Sequence, residues 1–305
     1  MSGFDPPAPI VRRVVETALA EDLGQLGDIT VEACVDADRT ATAAFVTRNA
    51  GVVAGTALAT ETFRWFGPAV RVAWSVADGD AVAAGAELGR VHGPLRAILT
   101  GERTALNLLS HCSGIATLTR AYVEAAAGGA RVLDTRKTTP GLRAVEKAAV
   151  RAGGGHNHRE SLSDAVLVKD NHLAALGPAA AVARARARWP GRMVEVECDT
   201  LDQVAKAVAA GADRVMVDNM DPDGVRAAVG IVAGRAEVEV SGGITLATIA
   251  EYAATGADFV SVGAITHSAP VLDIGLDIID SNGSDSDGPD SDGPDSADPD
   301  AIGPE

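Results

Sequence analysis

The sequence has little cysteine, few aromatic residues and almost no lysine, and each shortage excludes a class of protein. Three cysteines (Cys34, Cys112 and Cys198) are too few and too scattered for a disulfide framework or a zinc site. We therefore expect all three to be buried and to pack as small hydrophobic residues. Aromatic residues make up 3% of the 305 positions, so alanine and valine must fill the interior. No apolar run approaches the roughly 20 residues that cross a bilayer, and the first residues lack a signal-peptide pattern. We therefore expect a cytoplasmic protein with no membrane partner.

Positive charge is also scarce. The formal net charge is −16, and only four of the 26 cationic residues are lysines. No basic stripe is present that could neutralise nucleic-acid phosphates, which argues against a nucleic-acid partner. Residues 281–305 contain eight acidic residues and no lysine or arginine, which predicts a disordered tail. The acidic balance, with arginine favoured over lysine, resembles halophilic proteins from high-salt cytoplasms.

The chain ahead of this tail divides into two predicted domains. Residues 1–110 combine helical spacing with short alternating runs and turns, as in a small α+β domain with an antiparallel sheet. Residues 111–270 repeat a β-like run and a helix six times, at a spacing of roughly 20–35 residues, which predicts a six-stranded, incomplete α/β barrel. A long helix over residues 102–126, with a break expected near Gly114, bridges the two halves. The apolar residues 271–280 are expected to pack back on the N-terminal domain.

Each predicted barrel strand ends in residues suited to binding or chemistry. The carboxyl ends of the strands share one rim, which is where the active sites of parallel α/β barrels lie. The residues at these ends are Thr135-Arg136-Lys137, Lys169, Glu197, Asp218, Ser241-Gly242-Gly243 and Gly263. Cations, carboxylates and glycine turns on one rim predict an enzyme that acts on a phosphorylated, anionic substrate.

The cations at this rim are interpreted mainly as anion ligands. Arg136, Lys137 and Lys169 end strands, and Arg159 follows a glycine-rich run; a guanidinium can hold a carboxylate through two hydrogen bonds. Lys169 could form a Schiff base if it were desolvated, but its cationic neighbours favour simple anion binding. The His-Asn-His run at residues 156–158 lacks a third soft ligand at a suitable spacing, so a histidine metal site is disfavoured.

The carboxylates and glycines complete the candidate site. Glu197 and Asp218 end consecutive strands, and they suit either Mg²⁺ or a positively charged sugar transition state. Glu195 lies two residues before Glu197, shares its face and is the rival candidate. Two glycine turns, at residues 241–243 and 263–264, resemble a phosphate cradle built from backbone N–H groups. Arg103 lies on the long helix outside the rim, where spacing alone indicates an exposed arginine.

Several co-linear motifs together resemble the quinolinate phosphoribosyltransferase family, over residues 28 to about 277. The motifs are Asp134-Thr135-Arg136-Lys137-Thr138-Thr139-Pro140-Gly141, the run 153–159, Val168-Lys169-Asp170-Asn171-His172, Glu195-Val196-Glu197, Asp218-Asn219-Met220 and Ser241-Gly242-Gly243-Ile244. The resemblance implies an N-terminal α/β sandwich and a C-terminal six-stranded α/β barrel. It also implies conversion of quinolinate and phosphoribosyl pyrophosphate to nicotinate mononucleotide, pyrophosphate and CO₂, with Mg²⁺, in NAD biosynthesis.

The resemblance also implies a role for each site residue and an assembly. The assembly is a homodimer, alone or within a larger oligomer, in which Arg103 enters the partner's site. The implied quinolinate ligands are Arg103, Arg136, His158, Arg159 and Lys169, and Thr135 belongs to the same substrate-binding set. Lys137, Glu197 and Asp218 are the implied catalytic residues on the phosphoribosyl pyrophosphate side, with Mg²⁺ held by Glu197 and Asp218 directly or through water. The implied 5′-phosphate loops are Ser241, Gly242 and Gly243, and Val262, Gly263 and Ala264.

Two alternatives stay open at this point. A molybdenum-transport-associated paralogue of the same fold would use a different substrate. A non-catalytic barrel that senses sugar phosphates would share the anion-binding rim, although such a sensor could dispense with Lys137 or Glu197.

Overall fold

The computed structural model describes residues 6–282, so the predicted acidic tail, apart from its first two residues, lies outside the described part of the chain. The helices are α1 (Ala8–Leu23), α2 (Ile29–Cys34), α3 (Thr56–Arg64), α4 (Leu95–Ala125), α5 (Arg143–Ala152), α6 (Asp170–Arg188), α7 (Leu201–Ala209), α8 (Pro222–Val232), α9 (Ile249–Ala253) and α10 (Ala264–His267). The strands are β1 (Thr40–Thr47), β2 (Gly51–Val52), β3 (Arg71–Trp74), β4 (Ala81–Val82), β5 (Glu87–Pro94), β6 (Arg131–Leu133), β7 (Val166–Val168), β8 (Val194–Cys198), β9 (Arg214–Asp218), β10 (Glu237–Ser241), β11 (Phe259–Ser261) and β12 (Ile274–Asn282). None of the helices within residues 6–282 is long and apolar enough to cross a membrane.

The N-terminal half contains a four-stranded antiparallel sheet in the order β12-β1-β5-β3. Its core gathers several of the scarce aromatic residues: the ring centroid of Phe45 lies 6.0 Å from that of Phe63 and 4.7 Å from that of Trp74. Aromatic pairs at these distances stabilise a small core beyond the area that they bury. The last described strand, β12, joins this sheet beside β1, although the whole barrel sequence separates the two strands.

The C-terminal half is a parallel six-stranded sheet in the order β6-β11-β10-β9-β8-β7, with α5 to α10 alternating between or following its strands. This confirms the predicted six-stranded, barrel-like fold. Fully buried valines on alternate positions, such as Val196, Val215 and Val240, belong to the main hydrophobic core. Because successive strand residues face opposite sides, Glu195 and Glu239 point to the barrel interior, which is therefore charged rather than aliphatic.

The bridging helix differs from the prediction at Gly114. Helix α4 runs without interruption from Leu95 to Ala125, about 46 Å at 1.5 Å per residue. Gly114 does not break the helix. Instead it allows a close backbone contact, because a Cβ at this position would overlap the carbonyl oxygen of Pro270 and lie 2.9 Å from the Cα of Val271. The glycine thus lets the segment that leads into β12 cross the helix at backbone distance. A second difference concerns Cys34, which is exposed, whereas Cys112 and Cys198 are buried as expected.

Replacing Gly114 by alanine tests this crossing. We expect Gly114→Ala to lower the free energy of unfolding by about 1–3 kcal/mol, because the backbone of residues 270–271 cannot move aside cheaply. Gly230→Ala in α8 is the matched control, since a Cβ there meets no atom within 4 Å. That variant should gain roughly 0.5–1 kcal/mol from helix propensity. Urea unfolding measures both, and equal effects of the two substitutions would contradict the crossing argument.

Candidate active site

A cleft of about 370 Å³ opens at the carboxyl ends of the barrel strands. All four predicted rim cations line it: Arg136 and Lys137 follow β6, Lys169 follows β7, and Arg159 lies between α5 and β7. The lining residues are Thr135, Arg136, Lys137, His158, Arg159, Leu167, Lys169, Glu197, Met216, Asp218, Glu239, Ser241 and Ser261.

The two glycine turns line an adjoining hollow of about 370 Å³, together with Asn219, Ile244 and His267. The cleft and the hollow are continuous, since they share Thr135, Lys137, Asp218, Ser241 and Ser261. Glycine is required at position 242, where φ is +98° and a Cβ would overlap Oδ1 of Asn219. Backbone in these turns can therefore approach a ligand as closely as a phosphate cradle requires.

The cation-rich end of the cleft is short of carboxylate partners. Arg159 donates through NH1 to the carbonyl oxygen of Ala165 at 3.1 Å, and burial together with the charge of Arg136 lowers the pKa of the Arg159 guanidinium. Among residues 6–282, Nε of Arg136 is buried without a hydrogen-bond partner. Two neighbouring guanidinium groups in this state favour an anionic ligand that satisfies both.

The predicted carboxylates lie between this end and the glycine turns. Lys169 Nζ forms an ion pair with Glu197 Oε2, and this pair joins the ends of β7 and β8. On the next strand, Asp218 Oδ2 accepts a hydrogen bond of 2.6 Å from Asn219 Nδ2. Glu197 and Asp218 both line the cleft, so it carries oxygen donors from two adjacent strands. This donor set fits Mg²⁺, which prefers one or two carboxylates plus substrate oxygens.

Arg103 is separated from the other predicted site residues. It is exposed on α4 and lines another hollow, of about 350 Å³, between that helix and the segment Val271–Ile274. Leu106, Asn107 and Ser110 complete the wall on the helix side. Within one chain, the structure therefore brings together all of the predicted site residues except Arg103.

A fully buried ion pair supports the loop that carries Arg136 and Lys137. Lys147 Nζ on α5 pairs with Asp134 Oδ1 directly after β6, and neither side chain is exposed. Asp134 also accepts hydrogen bonds from the backbone N–H of His158 at 2.8 Å and from Asn157 Nδ2 at 2.6 Å. One carboxylate thus fixes the start of the cation loop relative to the segment that carries His158 and Arg159.

The sequence interpretation missed Glu239 and Ser261, which line the cleft from β10 and β11. Glu239 lies two residues before Ser241 and so shares its face, which is the same argument that had singled out Glu195. Burial raises the pKa of Glu239 to about 8. Glu195 is fully buried and bonds His158, so it lies behind the cleft rather than replacing Glu197. His156 lines a different hollow, with Arg131 and Asp258, so the two histidines do not form a site together.

A barrel rim that joins clustered cations and two carboxylates to glycine turns defines an α/β-barrel enzyme with phosphorylated, anionic substrates. Comparison with known proteins identifies the family. Residues 28–113 match the N-terminal domain and residues 115–277 the C-terminal domain of quinolinate phosphoribosyl transferase. The chain therefore belongs to the quinolinate phosphoribosyltransferase family.

Individual relatives agree with this assignment over nearly their whole length. The chain is 44% identical over 284 residues to nicotinate-nucleotide pyrophosphorylase [carboxylating] of Mycobacterium leprae, covering 90% of this chain and 98% of the relative. It is 40% identical over 277 residues to the probable enzyme of that name from Bacillus subtilis, covering 90% and 95%. Among solved structures, the nicotinate-nucleotide pyrophosphorylase of Francisella tularensis superposes with a TM-score of 0.85 at 40% identity, covering 90% of this chain and 98% of that one.

Proposed function

We propose that this protein transfers the phosphoribosyl group of phosphoribosyl pyrophosphate to quinolinate and releases CO₂. The products are nicotinate mononucleotide and pyrophosphate, and the reaction serves NAD biosynthesis. The observation that carries the proposal is the continuity of the cleft: a pocket with two arginines opens directly into a glycine-lined hollow. Such a cleft suits a dicarboxylate acceptor at one end and a sugar phosphate at the other. The names of the relatives support the same reaction.

The cation-rich end is assigned to the acceptor. Arg136 and Arg159 bind the two carboxylates of quinolinate, with Lys169 beside them, while Thr135 and His158 form part of the wall. A monocarboxylate leaves one buried guanidinium unpaired, which is costly, so the site discriminates against nicotinate.

The other end is assigned to the donor. The turns Ser241–Gly243 and Val262–Ala264 bind the 5′-phosphate through backbone N–H groups, and Lys137 binds the pyrophosphate. Glu197 and Asp218 are the residues that would hold Mg²⁺, directly or through water, and a bound ion would supply positive charge against the departing pyrophosphate. The pyridine nitrogen attacks C1′ as the C1′–O bond to pyrophosphate breaks, while the two carboxylates stabilise the positive charge at C1′. The positive charge of the resulting N-ribosyl pyridinium stabilises the ring carbanion left when the adjacent carboxylate departs as CO₂, and a proton from solvent then completes nicotinate mononucleotide.

A direct assay tests this function. The full chain, with Mg²⁺ in molar salt, receives phosphoribosyl pyrophosphate and carboxyl-labelled quinolinate, and labelled CO₂ and nicotinate mononucleotide are followed. We expect the two products in equal amounts, and none of the nucleotide from nicotinate in a parallel reaction. Binding without turnover would indicate a sensor, and no response to quinolinate would favour the paralogue.

The isolated position of Arg103 supports a further part of the proposal, a homodimer that is the whole assembly or the unit of a larger one. Arg103 is exposed and faces a hollow whose rim includes Val271, a valine that is 64% exposed. In a two-fold dimer this surface can meet the cleft of a second copy, so that each site contains the partner subunit's Arg103.

Subunit mixing tests the donated arginine. Arg103→Ala and Arg159→Ala should each be inactive alone, because each removes one quinolinate ligand from every site. Unfolding and refolding an equimolar mixture should recover about a quarter of the wild-type activity, since half the dimers are mixed and each mixed dimer contains one intact site. If Arg103 served its own subunit, every mixed dimer would stay inactive.

The cellular setting belongs to the same proposal. The composition suits a cytoplasm of high salt, where screening lets an acidic protein recruit two anionic substrates to a local arginine-rich rim. Activity measured from low to molar KCl distinguishes this halophilic setting from a cytoplasm of low salt. We expect the activity to rise with the salt concentration.

A further inference from the structure

A buried polar cluster lies inside the barrel beneath the acceptor end of the cleft. It consists of His158, Glu195, Arg214, Glu239 and Ser261, and the side chains of Glu195 and Glu239 are completely buried. Glu239 Oε1 bonds the hydroxyl of Ser261, and its Oε2 accepts from Arg214 NH1 at 3.0 Å. None of the roles assigned above uses these carboxylates.

The hydrogen bonds of His158 define its protonation state. Its Nδ1 accepts the backbone N–H of Arg159 at 2.8 Å, so that nitrogen cannot also carry a hydrogen. Its Nε2 lies 2.9 Å from Glu195 Oε2 and 3.5 Å from Glu239 Oε2, and a hydrogen on Nε2 satisfies this contact. The ring is therefore a neutral imidazole with its hydrogen on Nε2. Burial also lowers the pKa of His158, which agrees with the neutral form.

A neutral His158 leaves the cluster with one negative charge too many. Arg214 is the cation in contact with Glu239, and it shares its guanidinium with Glu237 through bonds of 3.0 and 2.8 Å. Glu195 Oε1 is buried and, among the described residues, has no hydrogen-bond donor. A proton on Glu239 removes the excess charge, and it supplies the hydrogen that the side-chain contact between Glu239 and Glu195 needs, since two carboxylates cannot bond each other without one. Burial raises the pKa of both carboxyl groups; the charge of Glu195 adds to the rise at Glu239, whereas the hydrogen bond from Glu239 lowers the pKa of Glu195.

A bound metal ion is the alternative use of these side chains. Ligand atoms of His158, Glu195 and Glu239 all lie within 4.8 Å of one another. The hydrogen on Nε2, however, occupies the lone pair that a metal would need, and the guanidinium of Arg214 already supplies a cation. The contacts thus favour a proton.

We propose that Glu239 is a positioning residue for the acceptor site: it is protonated at neutral pH and, together with Glu195, fixes His158 as a neutral ring beneath the bound dicarboxylate. The proposal rests on the proposed function, because it assumes that quinolinate binds above this floor. His158 and Glu239 both line that part of the cleft. Loss of the proton would place an uncompensated negative charge under a dianionic ligand and weaken its binding.

The groups around Glu239 and its neighbours come from several elements, and most of them are charged or titratable. Glu239 itself faces Glu195 on β8, His158 after α5, Arg214 on β9 and the hydroxyl of Ser261 on β11. The charges of Lys147 on α5, Arg159 after α5, Glu197 on β8 and Glu237 on β10 act on these neighbours. A pH effect must therefore be assigned by substitution and not by its midpoint alone.

Quinolinate binding at two pH values provides the test. The dissociation constant of wild-type protein should rise about tenfold between pH 7 and pH 9, because the protonated fraction of a group with a pKa near 8 falls by that factor. Glu239→Gln keeps a neutral, hydrogen-bonding side chain, so its dissociation constant should stay near the wild-type value at pH 7 and change less than about twofold up to pH 9. Glu237→Gln removes the other carboxylate that binds Arg214 but leaves Glu239 titratable, so its binding of quinolinate should still weaken between pH 7 and pH 9.

A spectroscopic measurement separates failure of this proposal from failure of the proposed function. In ¹⁵N-labelled protein at pH 7, His158 should show a protonated Nε2 and an unprotonated Nδ1, in the wild type and in both variants. An imidazolium signal, or a Glu239→Gln variant that keeps the wild-type alkaline loss of binding, would overturn the proposal. Wild-type protein that does not bind quinolinate at pH 7 would count against the proposed function, and the His158 signals would still decide the protonation state.

Discussion

Arg159→Ala should reduce kcat/KM for quinolinate about a thousandfold. The substitution removes two charge-assisted hydrogen bonds of roughly 2 kcal/mol each from a partly buried site. Among the described residues of one chain that line the cleft, it leaves Arg136 as the remaining guanidinium. Steady-state kinetics with each substrate varied in turn measure the effect. The KM for phosphoribosyl pyrophosphate should change little, since Arg159 lines the cleft but not the glycine-lined hollow.

The matched control for this prediction is Arg192→Ala. Arg192 is an exposed arginine that donates to the carbonyl oxygen of Asp164, next to the Ala165 carbonyl that Arg159 bonds. Its loss should leave kcat/KM within about twofold of the wild type, because it does not line the cleft. Near-normal use of quinolinate by Arg159→Ala would contradict the assigned acceptor site.

Lys147→Met should be the most destabilising of the substitutions proposed. It leaves the carboxylate of Asp134 buried without its cation, a change that costs about 3–5 kcal/mol in other buried pairs. Urea unfolding gives the loss directly, as a shift in midpoint at constant slope. Activity should fall as well, because Asp134 holds the backbone of His158 and directly precedes the cation loop.

Two comparisons isolate the role of burial. Lys206→Met breaks an exposed ion pair with Asp202 on α7 and should cost less than about 1 kcal/mol. Combining Lys147→Met with Asp134→Asn removes both charges and should recover part of the lost stability. A loss of under 1 kcal/mol in Lys147→Met alone would show that Asp134 is well solvated or otherwise paired.

Most of the barrel could be predicted from the sequence because its signals are local. The polar residues Glu197, Asp218 and Ser241, which were predicted at strand ends, lie within one residue of the observed ends of β8, β9 and β10. The convergence of Lys137, Lys169 and Asp218 in one cleft follows from the shared rim of a parallel barrel.

Features that depend on distant contacts could not be obtained in this way. Gly114 looks like a helix breaker until Pro270, far along the chain, is seen to cross it. In the sequence, Lys147 looks like an ordinary exposed lysine on a helix. It is buried with Asp134 because α5 packs close to the end of β6. Alternation along β10 could have identified Glu239 as a residue that faces the cleft. Its burial, and the sharing of its cation Arg214 with another carboxylate, depend on contacts among three neighbouring strands.

The position of β12 beside β1 has a consequence for how the chain is made. Synthesis proceeds from the N-terminus, so β1, β3 and β5 emerge long before their fourth partner. Until residues 274–282 have left the ribosome, one edge of β1 stays unpaired, and an unpaired edge is a template for association with another chain. The N-terminal sheet must therefore await completion of the barrel, and the two halves mature as one high-contact-order unit rather than in succession.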